Sequence, residues 1–231
     1  MEQDYQTPLT FEISGSRVAE YVNKVYLWMA AGLLATAGCA AYSLYNEEML
    51  YWSLNHAMML FLALIGTIFV LGFCAKSLSP AAMGVLFMVF SGIEGLTLAP
   101  IFLLYTESSI ATTFAVTAGM FGATALFGAC TKRDLSGMGN ILFMGLIGII
   151  IAGVVNIFLG NSMLELGISV AGVLIFSAFT AYDMQNIIRA GFYLEDGELR
   201  SKGAVMGALA LYLDFINLFL LLLRLLGDRR D

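Results

Sequence analysis

Three carboxylates stand where a carboxylate is expensive. Glu94 lies in FSGIEGLTLAPIF, Asp183 in FTAYDMQNI and Asp214 in GALALYLDFINLFLLLLRLLG, all in or at the end of apolar runs. A charge facing lipid at mid-bilayer costs about 2.5–3.5 kcal/mol on the insertion scale, and no Lys or Arg lies deep in a span to neutralise these three. Acids so placed should face a bundle interior or water, where they can bind protons or hard cations. Two carboxylates about 4 Å apart repel by about 4 kcal/mol at an effective dielectric of about 20. If Asp183 and Asp214 meet at that distance, the pair shares a proton at modestly acid pH and loses it as pH rises. Unprotonated, it offers two hard oxygen donors suited to Ca²⁺. Protons and cations then compete for one site. Glu94 is a candidate pathway acid; equally, it can be a protonated carboxyl bonded within its own helix, where Ser91 and Thr97 are neighbours.

The elements that hold these acids follow from composition. Of 231 residues, 60% are hydrophobic and only 12% charged, with mean hydropathy +0.86. An ordinary soluble domain carries about 25% charged residues, so the bilayer must be part of this chain's solvent. The net charge of −6 gives no basic face for nucleic acid. Seven segments have the length and polarity of transmembrane helices: Val25–Leu44, Ala57–Ala75, Ala81–Tyr105, Ile110–Cys130, Ile141–Gly160, Met163–Tyr182 and Gly203–Leu226. The linkers are short, so residues 25–227 read as one domain. A polar tail or amphipathic lead-in, residues 1–24, precedes it, and residues 228–231 follow. The longest connection, NIIRAGFYLEDGELRSKG, precedes the last helix. The first stretch has no signal-peptide pattern.

Orientation follows from the basic residues. Arg17, Lys24, Lys76, Lys132, Arg133, Arg189, Arg200 and Lys202 fall at alternate ends of the segments; the opposite loops carry Glu47, Glu48, Glu107 and Glu165. The positive-inside rule then predicts a cytoplasmic N-terminus. Arg224, Arg229 and Arg230 break the pattern if the last segment spans, yet it is long enough to do so, and a full span is the expectation.

In that last segment Gly203, Gly207, Ala210, Asp214 and Asn217 recur at steps of four and three, one stripe on one helical face. A narrow stripe presses into neighbours. It points Asp214 at them, about 16 Å in from Gly203 at 1.5 Å per residue. Asn217 reads as a supporting polar residue that hydrogen-bonds between helices. Asp183 is expected near the cytoplasmic end of helix six, and Glu94 about 20 Å into helix three. If these helices adjoin, the acids form a ladder. Pro100 reads as a helix-end kink. Cys39, Cys74 and Cys130 lack metal-ligand spacing and read as small buried packers.

Several stretches resemble a known family. ALYLDFINLFLLLLRLLG, TAYDMQNI and SGIEGLTLAPI are similar to signature stretches of the Bax inhibitor-1 family, the transmembrane Bax-inhibitor-motif proteins. TAGMFGATALFGACTKRDLSGMGN resembles its bacterial inner-membrane branch, and the likeness runs over about residues 20–230. The resemblance implies an all-α membrane protein, a seven-transmembrane-helix bundle with the last helix central, in a bacterial inner membrane. It implies a pH-sensitive Ca²⁺ leak channel or transporter whose sensor is an aspartate pair on helices six and seven, here Asp183 and Asp214. In a bacterial member an arginine after helix two latches the pair; here GFCAKSLSP offers only Lys76, a single-point donor. The partners expected are the lipid bilayer, Ca²⁺ and H⁺, with no other cofactor.

Rival functions leave weaker traces. Other bacterial members are tied to control of a membrane-bound protease, which makes a non-transporting regulator acting through protein contacts the alternative reading. Enzymes fare poorly. A zinc hydrolase needs several His ligands, and this chain has only His56, which reads as a surface residue at a helix end. No Ser sits in a Gly-x-Ser-x-Gly setting.

Overall fold

The structure, a computed structural model, describes residues 8–195 and 197–230. Among them the regular elements are helices: α1 (Pro8–Tyr45), α2 (Glu47–Asn55), α3 (Ala57–Phe73), α4 (Pro80–Leu98), α5 (Ile101–Leu104), α6 (Glu107–Cys130), α7 (Met138–Leu159), α8 (Ser162–Tyr193) and α9 (Glu198–Leu226). Six are long and apolar enough to cross a membrane, and the bent pair α2 and α3 supplies a seventh span when counted as one. These two meet at 75°, so α2 does not prolong α3, whose 17 residues measure about 25 Å.

The helix ends are set by local chemistry. Asn46, Ser79, Thr106 and Asn161 each accept a first-turn N–H at the start of α2, α4, α6 and α8, satisfying donors that the helix leaves open. Pro80 opens α4, where a missing N–H costs nothing. Gly160 ends α7 at φ 60 and Gly197 precedes α9 at φ 124, conformations that suit a residue with no Cβ. Pro100 breaks the third span, with α4 closing at Leu98 and α5 restarting at Ile101.

α9 stands at the centre, packed by α1, α4, α6 and α8; α3 leans on α4, and α7 chiefly on α8. Ala208, Leu211, Tyr212 and Leu218 of α9 are fully buried. The central last helix expected from the resemblance is therefore present. Small residues bring the outer helices close. A Cβ at Gly95 of α4 would overlap the backbone of Thr36 on α1, and one at Gly128 of α6 would overlap the backbone of Ala181 on α8.

Several boundaries differ from the hydropathy reading. α1 begins at Pro8 and α8 continues to Tyr193, so most of the supposed long connection before the last helix is helix. The apolar test stops where Gln185, Asn186 and Arg189 begin, although helical winding does not. The cysteines are also displaced: Cys39 is half-buried, while Cys74 and Cys130 are exposed. In lipid an apolar position faces outward as readily as inward, so burial does not follow from hydropathy.

α9 crosses fully. Its far end is stitched to the turn before α6: Thr106 N–H donates to the Asp228 carbonyl at 3.1 Å, and Arg230 N–H to the Leu104 carbonyl at 2.9 Å. The three arginines that break the charge pattern are matched there by acids. Arg224 and Arg229 each lie 3.7 Å from Glu165, and Arg230 lies 3.5 Å from Glu107.

Candidate functional site: an aspartate pair beside a hydroxyl node

Asp214 is 4% exposed, and its Oδ2 has no hydrogen-bond partner among the described residues. It lies on the small-residue stripe, which faces α8 and α1: a Cβ at Gly207 would touch Ile187 and Val25, and one at Gly203 would touch Leu194 and Tyr21. Two contacts fix the register of antiparallel α8 and α9. Gly207 meets Ile187 and Gly172 meets Leu221, so facing positions sum to 207 + 187 = 394 or 172 + 221 = 393. Asp183 therefore stands opposite positions 210–211, and Asp214 opposite 179–180. The two acids are about one helical turn apart in height, roughly 5 Å, and close enough for their charges to interact. Asp183 is half-buried. It sits ten residues before the end of α8 at Tyr193, about 15 Å in, and not at the helix end as the hydropathy reading placed it.

A second polar cluster occupies another side of α9. Tyr212 and Thr36 share a 2.6 Å hydroxyl contact. Thr36 Oγ1 also lies 2.9 Å from the Ser91 carbonyl and 3.0 Å from that of Gly32. Thr36 has one hydroxyl proton and a carbonyl takes it, so Tyr212 is the donor to Thr36. Thr36 is 4% exposed, while Ser91 and Tyr212 are wholly buried. Phe87 and Phe90 meet the Tyr212 ring edge-on at 5.6 and 5.8 Å, favourable aromatic geometry.

Glu94 belongs to this side. Its charge is felt at Tyr212, while the charge felt at Asp214 is that of Asp183. Residues two apart on a helix point about 200° apart. Tyr212 and Asp214 thus present their side chains to different sides of α9, with Glu94 on the α4 side and Asp183 on the α8 side. Ser91 and Thr97 spend their hydroxyls on carbonyls of α4, at Phe87 and Ile93, and neither bonds Glu94.

Toward the end where α1 begins, the stripe is sealed by Tyr21, Val25 and Ile187, all buried. Arg200, 4% exposed, ties three helices together there. It donates to the carbonyls of Gly191 at 3.2 Å, Leu194 at 2.8 Å and Arg17, and lies over the Tyr21 ring at 5.1 Å. A cation at the carbonyl end of α8 also suits the helix dipole.

Beside Asp183, Gln185 clasps the loop between α6 and α7. Its Oε1 accepts the Leu135 N–H at 2.8 Å, and its Nε2 donates to the Arg133 carbonyl at 2.8 Å. Arg189 donates to Gln185 at 3.0 Å and also to Asp134. That guanidinium, with the Ser136 amide, holds the Asp134 carboxyl down at about 2.

Comparison with known proteins agrees with this architecture. Residues 18–231 match the family model described as "Inhibitor of apoptosis-promoting Bax1". The inner membrane protein YbhL of Escherichia coli K12 is 45% identical over 215 residues, covering 91% of this chain and 92% of its own. An uncharacterized protein of Deinococcus radiodurans is 39% identical over 226 residues, covering 98% and 97%. The chain belongs to the Bax inhibitor-1 family.

Within this Bax inhibitor-1 bundle the other expected site residues fall differently. Lys76 is exposed after α3. Its carbonyl accepts from Lys202 at 3.4 Å, and among the described residues its ammonium pairs with neither aspartate. Asn217 donates to the Leu213 carbonyl of its own helix at 2.8 Å, so it does not serve as the interhelical bonder expected. Among the described residues no three His, Cys, Asp or Glu side chains gather. Any cation at the pair is met by two carboxylates, with water or carbonyls completing its shell. Sequence reasoning missed Tyr212, Thr36, Gln185 and Arg200. Only Arg200 offered a signal, as one cation of a basic loop.

Proposed function

We propose that this protein is a pH-sensitive cation leak pathway, most suited to Ca²⁺, in which Asp183 and Asp214 form the proton- and cation-binding element. The observation that carries the reading is Asp214: a membrane-buried carboxylate on the central helix, with one oxygen unpartnered and Asp183 the neighbouring acid. A carboxylate kept so deep without a cation beside it has a role beyond packing. The pair binds a shared proton or a cation, so cation passage rises as protons leave. In this reading the bundle is closed as it stands, with Tyr21, Val25 and Ile187 filling the stripe between the pair and the face where α1 begins. Passage requires α9 to move against α8 and α1. The E. coli relative is named an inner membrane protein, and we place this chain in the inner membrane as well. The basic loops put its N-terminus in the cytoplasm.

The test is Ca²⁺ entry into proteoliposomes between about pH 6 and 8, comparing wild type with Asp214→Asn. Flux that rises with pH in wild type and loses that dependence in the variant supports the reading. Folded wild type that passes no Ca²⁺ at any pH overturns it and moves the role to the alternative, contact-mediated control of membrane proteolysis.

A further inference from the structure

α1 and α6 both pack on α9 but form no substantial interface with each other, and the short α5 follows the break at Pro100. The gap between them is a cavity of about 110 Å³, in the half of the bundle nearer the end of α9. It is lined by buried Ile216 and Phe219 of α9, with Ala37 of α1, Phe102 of α5 and Phe114 of α6. Thr36 is the one hydroxyl in the lining. That hydroxyl is already engaged by Tyr212, Ser91 and Gly32. A buried water needs two to four polar partners, and this cavity has none to spare, so it is dry. Ala37 and Phe114 are exposed at its rim, so in a bundle that spans a bilayer the cavity opens toward hydrocarbon. An apolar cavity of about 150 Å³ admits benzene; 110 Å³ admits a short run of methylenes.

We infer that this cavity is a binding site for a phospholipid acyl chain, which enters sideways between α1 and α6 and rests on the central helix. The site holds hydrocarbon only, since its single hydroxyl is spent. An acyl chain there fills the space into which Phe219 and Ile216 would otherwise shift, so the leaflet contacts α9 directly. The inference stands whether or not the protein conducts cations.

The test is photolabelling in vesicles of phosphatidylethanolamine and phosphatidylglycerol doped with a phospholipid carrying a diazirine midway along one acyl chain. Adducts are mapped by mass spectrometry. Ile216 and Phe219 are only 6% and 8% exposed, yet the expected result is adducts on them, alongside those on lipid-exposed Ile157 and Phe158 of α7. Ala37→Phe fills the mouth and should remove the α9 adducts while those on α7 persist. Phe114→Ala widens the mouth and should increase them, which decides the matter if Ala37→Phe does not fold. The inference is overturned if α9 stays unlabelled while α7 is labelled, or if neither substitution changes α9 labelling. It is also overturned if only a free apolar probe, and never the phospholipid, reaches α9.

Discussion

Tyr212 and Asp214 stand two residues apart on α9 and serve different sides of it. Tyr212 donates to Thr36 of α1 at 2.6 Å, and Asp214 carries an unpartnered oxygen within reach of the Asp183 charge on α8. One helix therefore has a hydrogen-bonded side that fixes it in place and a side with spare binding capacity.

The hydroxyl node is structural. Tyr212→Phe removes one hydrogen bond but leaves Thr36 its carbonyl acceptors, so the expected loss is about 1 kcal/mol. Thr36→Val leaves the buried Tyr212 hydroxyl without that acceptor, an expected loss of about 1–3 kcal/mol. Unfolding in mixed micelles should rank the two in that order, and neither should alter the pH dependence of flux.

The glycines divide by what faces them. Gly95→Ala and Gly128→Ala drive a methyl into backbone on the neighbouring helix, and each should cost about 1–3 kcal/mol. Gly119→Ala and Gly122→Ala meet open space and should be neutral or slightly stabilising. The same unfolding assay checks all four, and equal effects would contradict the helix spacing described.

The Gln185 clasp makes two predictions. Gln185→Ala frees the Arg133 carbonyl and the Leu135 N–H, so trypsin should cut at Lys132 and Arg133 faster than in wild type. Asp134 has a folded-state value of about 2, below its ordinary 3.8. Its contribution to holding the loop is therefore present above about pH 4 and lost as pH falls toward 2. Between pH 6 and 8 it does not titrate, so Asp134→Asn should leave the pH midpoint of flux unmoved.

Topology can be read with an impermeant maleimide in a background without the native cysteines. Ser108→Cys and Asp228→Cys should label on intact cells, and Ser136→Cys only after permeabilisation. Labelling of Asp228→Cys from the side that labels Ser136→Cys would contradict a full crossing by α9.

The sequence made the membrane class legible, because 60% hydrophobic content in runs of about 20 residues admits no other solvent. The stripe from Gly203 to Asn217 told which face of α9 points at α8, since small residues mark close approach wherever they recur every three or four positions. What periodicity could not tell was where the opposite face went. Nothing in Tyr212, Thr36 or Ser91 announces that three helices meet there. Asp183 was placed at a helix end because the polar turns after it read as a loop, whereas α8 winds on to Tyr193. Lys76 was drawn toward the pair by standing where a bacterial family member has its latch arginine, and the fold leaves Lys76 exposed.

The central claim is that Asp183 and Asp214 act as one titrating unit, and a double-substitution cycle on flux tests it most directly. The pH of half-maximal Ca²⁺ flux would be measured for wild type, Asp183→Asn, Asp214→Asn and the double variant. A shared unit predicts that either single change abolishes the pH dependence and that the double adds nothing further. Shifts that add, or a wild-type profile surviving in either single variant, would contradict it.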